Sequence, residues 1–305
     1  TAASGAADDV TVTEDGSIEV ADTADFTAIT IDSDNDVTLD GDILIGDSDN
    51  TTGILIEAGR TSDVTVSGNI QLIEDYTRED ADDDDDDDGP LAIGTGRTGI
   101  HLQQGAAMTG DIWLQSGAYI QVEGNDSAGV LLESSLTGDL RSAATIAVTG
   151  DNAQGITATG LVDGDVTIGG AVTATGENAT GVRLDAGATG AVTVNGSVRA
   201  TGFVYGSTTS YIAPALVTSD TTPLEERLDT DELLSGGPAF VVGGSLGQGL
   251  LINGAAPDPD LSDDEDEDET KDTIEDFNEN RTTGSLTSYG SAPALLISAD
   301  RNGAA

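Results

Sequence analysis

The chain has 305 residues, of which 57 are Asp or Glu and 10 are Lys or Arg, so its formal net charge is 10 − 57 = −47. This charge argues against a nucleic-acid partner, because phosphate would be repelled, and the absence of cysteine excludes disulfides, cysteine zinc sites and thiol catalysis. No run of about 18 apolar residues is present, so we expect no membrane-spanning helix.

The sequence repeats with a period of about 26 residues. Each unit holds three short stretches of alternating apolar and polar residues, separated by Gly, Asn and Asp. The first stretch begins in turn at Asp9, Asp36, Asp63, Asp111, Asp139, Asp165 and Ala191. The second is centred on Ile18, Ile43, Ile70, Ile120, Ile146, Val172 and Val198. The third begins at Ala28, Gly53, Gly99, Gly129, Gly155, Gly181, Ala215, Ala239 and Ala294.

Each stretch has the two-residue period of a strand with one buried face, and Val, Ile and Thr suit a pleated sheet. A triplet of strands cannot bury its apolar face alone, whereas stacked triplets can. The sequence therefore predicts an all-β fold, a right-handed parallel β-helix of about nine coils. We expect residues 1–305 to form one such domain.

Alternation also assigns the two faces of the first strands. Pairs such as Val64/Val66 and Val166/Ile168 should point inward, as should Val10/Val12, while Thr65 and Thr167 between them should point outward. The turn before the third strand repeats as well, with Gly124, Gly150 and Gly176 leading. Its Asp126, Asn152 and Asn178 should stack from coil to coil, in a row with a structural role.

Four segments break the period: 73–98, 203–212, 220–237 and 256–283. Insertions in a solenoid are expected to form loops that leave the rod. The first contains seven consecutive aspartates, Asp82–Asp88, and the last is similarly acidic. Like charges this dense predict solvated loops unless counterions bind. The third includes Pro223–Leu234, the one stretch with a helical pattern.

Two features carry a resemblance to a known family. One is the repeated pattern GDVTV, GSV and NATGV, and the other is segment 237–254 (GPAFVVGGSLGQGLLING), followed by an acidic loop and segment 284–297 (GSLTSYGSAPALLI). Together they resemble the N-terminal part of autotransporter-domain proteins of alphaproteobacteria, especially sphingomonads. The resemblance covers most of the chain. It implies a β-helical passenger at the bacterial cell surface, associated with the outer membrane, whose partner is its own C-terminal β-barrel or further passenger sequence. It implies no catalytic residues.

Calcium is the one cofactor that the acidic composition suggests, because it takes six to eight oxygen ligands. The alternating spacing of Asp32, Asp34 and Asp36 suits such a site, although no following Gly or twelfth-position Glu makes it an EF-hand. The acidic runs offer the further candidates Asp84, Asp86, Asp88, Asp258 and Asp260. The alternative is that all of these are solvated loop residues.

Aromatic side chains suggest a second kind of site. Trp113 interrupts the outward threonine row and Tyr119 follows in the same coil, so the pair could stack on a glycan. Alternatively, Trp113 packs beneath the insertion 73–98. His101 lies between inward Ile100 and Leu102, so we expect it to face solvent without a partner.

We expect a non-enzymatic extracellular surface protein with a structural or adhesive role, whose partners are surface glycans. A first alternative is a calcium-dependent, self-associating surface-layer or filament subunit. A second alternative is a polysaccharide-active β-helix enzyme. With 57 acids, any pair of carboxylates for glycoside hydrolysis can be found, so that signal is weak.

Overall fold

A computed structural model describes residues 9–78, 89–202, 234–253 and 284–298. Within these ranges the chain forms 29 strands and no helix, so the described part offers no helix able to cross a bilayer. Every strand pairing is parallel, and neighbours in each sheet come from successive repeats. The predicted parallel β-helix is thereby confirmed.

Three eight-stranded sheets run along the axis. Sheet A contains β1 (Val10–Val12), β4 (Val37–Leu39), β7 (Val64–Val66), β11 (Ile112–Leu114), β15 (Leu140–Ser142), β19 (Val166–Ile168), β23 (Val192–Val194) and β27 (Leu250–Ile252). Sheet B contains β2 (Ser17–Ala21), β5 (Asp42–Gly46), β8 (Asn69–Ile73), β12 (Tyr119–Glu123), β16 (Thr145–Thr149), β20 (Ala171–Thr175), β24 (Ser197–Thr201) and β28 (Ser285–Tyr289). Sheet C contains β3 (Thr27–Ile31), β6 (Thr52–Ile56), β9 (Thr98–Leu102), β13 (Ala128–Leu132), β17 (Gln154–Ala158), β21 (Thr180–Leu184), β25 (Phe240–Val242) and β29 (Leu295–Ile297).

A fourth, five-stranded sheet lines the corner between sheets C and A, and the sequence did not predict it. Sheet D contains β10 (Met108–Thr109), β14 (Leu136–Thr137), β18 (Val162–Asp163), β22 (Gly187–Ala188) and β26 (Ser245–Leu246). Four of these strands each contribute one buried apolar side chain, which adds an apolar layer to four of the coils: Met108, Leu136, Val162 and Ala188. The signal in the sequence was a single apolar residue per repeat, too short to read as a strand.

The core consists of aliphatic side chains stacked in register between coils. Val166 pairs with Val192 and Ile168 with Val194, and all four side chains are fully buried. Thr167 lies between them and points outward, as the alternation predicts. Val10 is an exception, since it is 47% exposed and was predicted to be buried. It belongs to β1, the edge strand of sheet A, so it has a stacked neighbour on one side only.

The described part contains eight three-strand coils, and about nine were predicted for the whole chain. In sheet C, β21 pairs directly with β25 through Val182 and Phe240. The third stretch predicted to begin at Ala215 lies outside the described residues. Seven steps of about 4.8 Å give a stack roughly 34 Å long.

The turn between sheets B and C begins with a glycine of positive φ in three successive coils. Gly124, Gly150 and Gly176 have φ of 155°, 139° and 147°. A side chain at Gly176 would also place its Cβ 1.9 Å from the carbonyl oxygen of Gly150, so the coils approach too closely there for any larger residue.

The residues two positions further along adopt the left-handed conformation. Asp126, Asn152 and Asn178 have φ of 52°, 57° and 59°, a region that Asn and Asp tolerate. The Asn152 side-chain amide donates to Asp126 Oδ1 at 2.9 Å. The prediction of a structural Asn/Asp row is therefore confirmed for this pair.

The period-breaking segments fall largely outside the described ranges. Residues 203–212 and 256–283 lie wholly outside them, as does the predicted helical stretch 223–234 apart from its last residue. The third insertion is described only from Leu234 onward. Only the insertion 73–98 is described at both ends, to residue 78 and again from 89.

Candidate functional site

A row of aspartate carboxylates runs along the corner of the rod where the chain enters sheet A. It joins the first seven coils, each to the next. Each aspartate Oδ1 accepts a hydrogen bond from the backbone N–H at the equivalent position of the next coil, at 2.7 to 3.3 Å. We call this row the aspartate ladder; its members are Asp9, Asp36, Asp63, Asp111, Asp139 and Asp165. In the opposite sense, the backbone N–H of the residue after each ladder aspartate donates to the carbonyl of the next coil. The ladder therefore satisfies backbone groups that the strands leave unpaired at the corner.

The structural role of these aspartates was missed in the sequence, although the repeat register listed all six of them. Asp occupies this position in six of seven units, and that regularity was the signal. A shorter row of the same kind lies at the corner between sheets B and C, where Asn125 Oδ1 accepts from Asp151 N–H at 2.8 Å and Asp151 Oδ1 accepts from Glu177 N–H at 2.9 Å. Both rows use the carboxylate or amide oxygen for the fold.

The predicted calcium ligands divide between described and undescribed segments. Asp34 Oδ1 accepts from Thr61 N–H at 2.9 Å, and Asp36 belongs to the aspartate ladder, while Asp32 is exposed. Within the described ranges, no group of three or more Asp, Glu or His side chains is arranged to hold a metal ion. Five further candidates lie outside these ranges: Asp84, Asp86, Asp88, Asp258 and Asp260. Calcium binding stays a prediction that depends on those acidic runs.

A buried ion pair, Arg97 with Glu74, joins the two ends of the insertion 73–98. Arg97 is 2% exposed, and its guanidinium lies 3.4 Å from Glu74 Oε2 while donating to the carbonyls of Ser48 at 2.9 Å and Glu123 at 2.5 Å. The Glu74 carboxylate also accepts from the backbone N–H groups of Ile93 and Gly94 at 2.9 and 2.8 Å. The two ends of the insertion are thus bonded to each other and to the rod.

The two aromatic candidates occupy different sheets. Trp113 lies on β11 of sheet A, is 46% exposed, and stands in register between Thr65 and Arg141, so its outward direction is confirmed. The described ends of the insertion 73–98 bond to the corner between sheets B and C, so they do not cover Trp113. Tyr119 is the first residue of β12 in sheet B. Burial, and secondarily the charge of Glu123, raises the pKa of the Tyr119 phenol.

The single histidine points outward as predicted, but it has a partner. His101 lies on β9 in sheet C between Leu55 and Leu131, and its Nε2 is 2.8 Å from Glu133 Oε2. The expectation that it stands alone was wrong. Glu133 follows β13, 32 residues along the chain, and only the stacking of coils brings the two together.

Next to this pair, the outer face of sheet C contains a groove of about 470 Å³ that no sequence feature had indicated. We call it the sheet C groove. It is lined by one apolar side chain, three amides, three threonines and one ion pair: Leu131, Asn152, Asn178, Gln154, Thr157, Thr159, Thr180, Arg183 and Asp185. Its volume falls within the roughly 300–1,000 Å³ that small-molecule sites span.

The polar groups of the groove are only partly engaged with one another. Arg183 Nη1 and Asp185 Oδ1 are 3.7 Å apart, and their side chains are 22% and 27% exposed. Asp185 Oδ1 and Thr157 Oγ1 are buried atoms without a hydrogen-bond partner among the described residues. Asp185 is the one carboxylate of the described lining, so this lining does not supply the pair that glycoside hydrolysis uses. The arrangement is suited to binding through hydrogen bonds.

Comparison with known proteins gave no match: no family model, no curated protein and no solved structure matches this chain.

Proposed function

We propose that this chain is a non-enzymatic surface rod with a structural or adhesive role, displayed outside a bacterial cell in the manner of an autotransporter passenger. The observation that carries the proposal is the aspartate ladder. Six carboxylates in one row bond coil to coil, so the acidic side chains of this corner serve the rod itself. The repeats in the sequence that resemble autotransporter passengers support the cellular location.

The mechanism follows from the geometry of a stacked solenoid. Each coil contacts mainly its neighbours, so a continuous aliphatic core and two rows of side-chain hydrogen bonds stiffen the rod along its axis. The net charge of −47 keeps separate rods soluble and apart. The buried pair of Arg97 and Glu74 fixes the two described ends of the insertion 73–98 to this rigid support.

The location and the role can be tested on cells of the organism that encodes the chain. Intact cells are treated with an impermeant protease and stained with an antibody against the rod, with a periplasmic protein as the control. We expect the rod to be stained and cleaved while the control stays intact, and a deletion strain to lose attachment to surfaces or cell-envelope integrity. A rod that is protected in intact cells would contradict the proposal.

A second candidate function is that of a self-associating surface-layer or filament subunit. It is favoured by the last described coil, whose strands β27, β28 and β29 are edge strands of their sheets. Leu251 and Ile297 there are 53% and 69% exposed, and strand edges that have no partner among the described residues can add further strands. Assembly that depends on calcium and on protein concentration would distinguish this candidate from a separate rod.

A further inference from the structure

We infer that the sheet C groove binds a neutral, hydroxyl-rich chain molecule, an oligosaccharide. The inference rests on the proposed function, because it gives the adhesive role a ligand class and a place on the rod. It also moves glycan recognition away from Trp113 and Tyr119, which lie on two other sheets.

Hydrogen-bonding capacity in the groove is the first argument. Thr157 is 2% exposed although it lies on the outer face of sheet C, and its Oγ1 has no partner in the described part of the chain. A buried polar atom without a hydrogen-bond partner destabilises the folded state. A ligand that supplies that hydrogen bond would therefore be bound more tightly. Gln154 and Asn178 add amides that both donate and accept, as sugar hydroxyls do.

Charge is the second argument, and it selects a neutral ligand. The field of a chain with a net charge of −47 repels polyanions, so sulfated or uronate-rich polymers are disfavoured. Arg183 is the one cation among the described lining residues, and Asp185 lies 3.7 Å from its Nη1. The charges of Arg183 and Asp185 therefore nearly cancel, and the amides and threonines of the lining supply hydrogen-bond donors and acceptors.

Repetition is the third argument, and it favours a chain over a single small molecule. Leu131, Thr157 and Arg183 occupy the same register position on three successive strands, β13, β17 and β21. Equivalent positions recur about every 4.8 Å along the axis. A ligand with its own repeating units can thus contact successive coils, with Leu131 offering apolar surface to the C–H face of a sugar ring.

The test uses the full chain on an array of immobilised oligosaccharides with neutral, sialylated and sulfated members. We expect binding to neutral glycans, weakened about tenfold by Thr157→Val, which removes one hydroxyl at nearly constant shape. Thr167→Val is the matched control, because Thr167 is an outward threonine of the next coil, on sheet A. Arg183→Ala should weaken binding at least as much, while the unfolding midpoints of the two threonine variants stay close to wild type.

Three outcomes would overturn the inference: no neutral glycan binds, only sulfated or sialylated glycans bind, or Trp113→Ala abolishes binding while Thr157→Val and Arg183→Ala leave it unchanged. The protease and antibody experiment on intact cells does not depend on glycan binding. A rod that is exposed on cells yet binds no neutral glycan would therefore refute the groove and leave the proposed function standing.

Discussion

Asp63 allows the structural role of the aspartate ladder to be separated from the effect of its charge. Asp63 Oδ1 accepts from Asp111 N–H at 2.7 Å, and Asp63 N–H donates to Asp36 Oδ1 at 2.8 Å. Asp63→Ala removes the acceptor and leaves Asp111 N–H to water at an exposed corner. We expect a loss of about 1 kcal/mol in the free energy of unfolding, below the usual range for charge-assisted bonds, because solvent reaches this position.

Asp63→Asn keeps the Oδ1 acceptor and removes one charge from the middle of the row. Stacked strands place neighbouring ladder carboxylates on the order of 5 Å apart, where two unit charges in water repel by about 0.8 kcal/mol before screening by salt. Relief of this repulsion offsets the weaker bond of a neutral acceptor, so we expect Asn to lie within about 0.5 kcal/mol of wild type. Asn125 already performs the same task towards Asp151 N–H in the neighbouring row.

The assay is urea unfolding followed by far-ultraviolet circular dichroism, at about 0.02 M and about 0.5 M NaCl. Salt should stabilise wild type more than Asp63→Asn, because screening acts on a repulsion that the variant has partly lost. Asp15→Ala, in an exposed turn outside the ladder, is the control for the loss of one surface charge. If Asp63→Asn is as destabilised as Asp63→Ala, the negative charge and not the acceptor is what the ladder needs, and the reasoning is refuted.

Three further predictions concern the core and the first insertion. Val172→Asp buries a charge at a fully buried position and should cost more than about 4 kcal/mol, whereas Thr173→Asp on the outer face of the same strand should cost under about 1 kcal/mol; similar unfolding midpoints would contradict the assignment of faces. Deleting Asp82–Asp88 changes the net charge from −47 to −40 and should leave the free energy of unfolding within about 0.5 kcal/mol of wild type, because both anchored ends remain; a loss above about 2 kcal/mol would show that the segment packs on the rod. Arg97→Gln leaves its buried glutamate partner uncompensated and should cost about 3–5 kcal/mol, whereas Arg60→Gln breaks a partly exposed pair and should cost under about 1 kcal/mol; equal losses of unfolding free energy would show that burial adds nothing to the pair of Arg97 and Glu74.

The sequence was sufficient to predict the stacking, because the fold repeats what the sequence repeats. Val166, Thr167 and Ile168 alternate with period two, and their equivalents recur about 26 residues later, so both the faces and the coil register follow. The exception lies at the end of the stack. Val10 has a stacked neighbour on one side only, so its burial does not follow from the repeat.

Most of the residue pairs of the candidate site could not be predicted from the sequence. The pairing of His101 with Glu133 and that of Arg97 with Glu74 join residues 32 and 23 positions apart, and neither spacing equals the repeat. The sheet C groove depends on outward side chains of several coils, and outward residues follow no pattern that distinguishes a binding surface from a solvated one. Trp113 and Tyr119 stand out in the sequence only because their residue types are rare, and their role in glycan binding stays a prediction.

The account's central claim is that the chain acts as a separate, displayed rod, and solution scattering in millimolar calcium and then in excess chelator tests it most directly. We expect the mass of one chain and the same elongated profile in both conditions, at all protein concentrations. Reversible growth into large assemblies with calcium would contradict the claim and establish the acidic loops as bridges of a surface lattice.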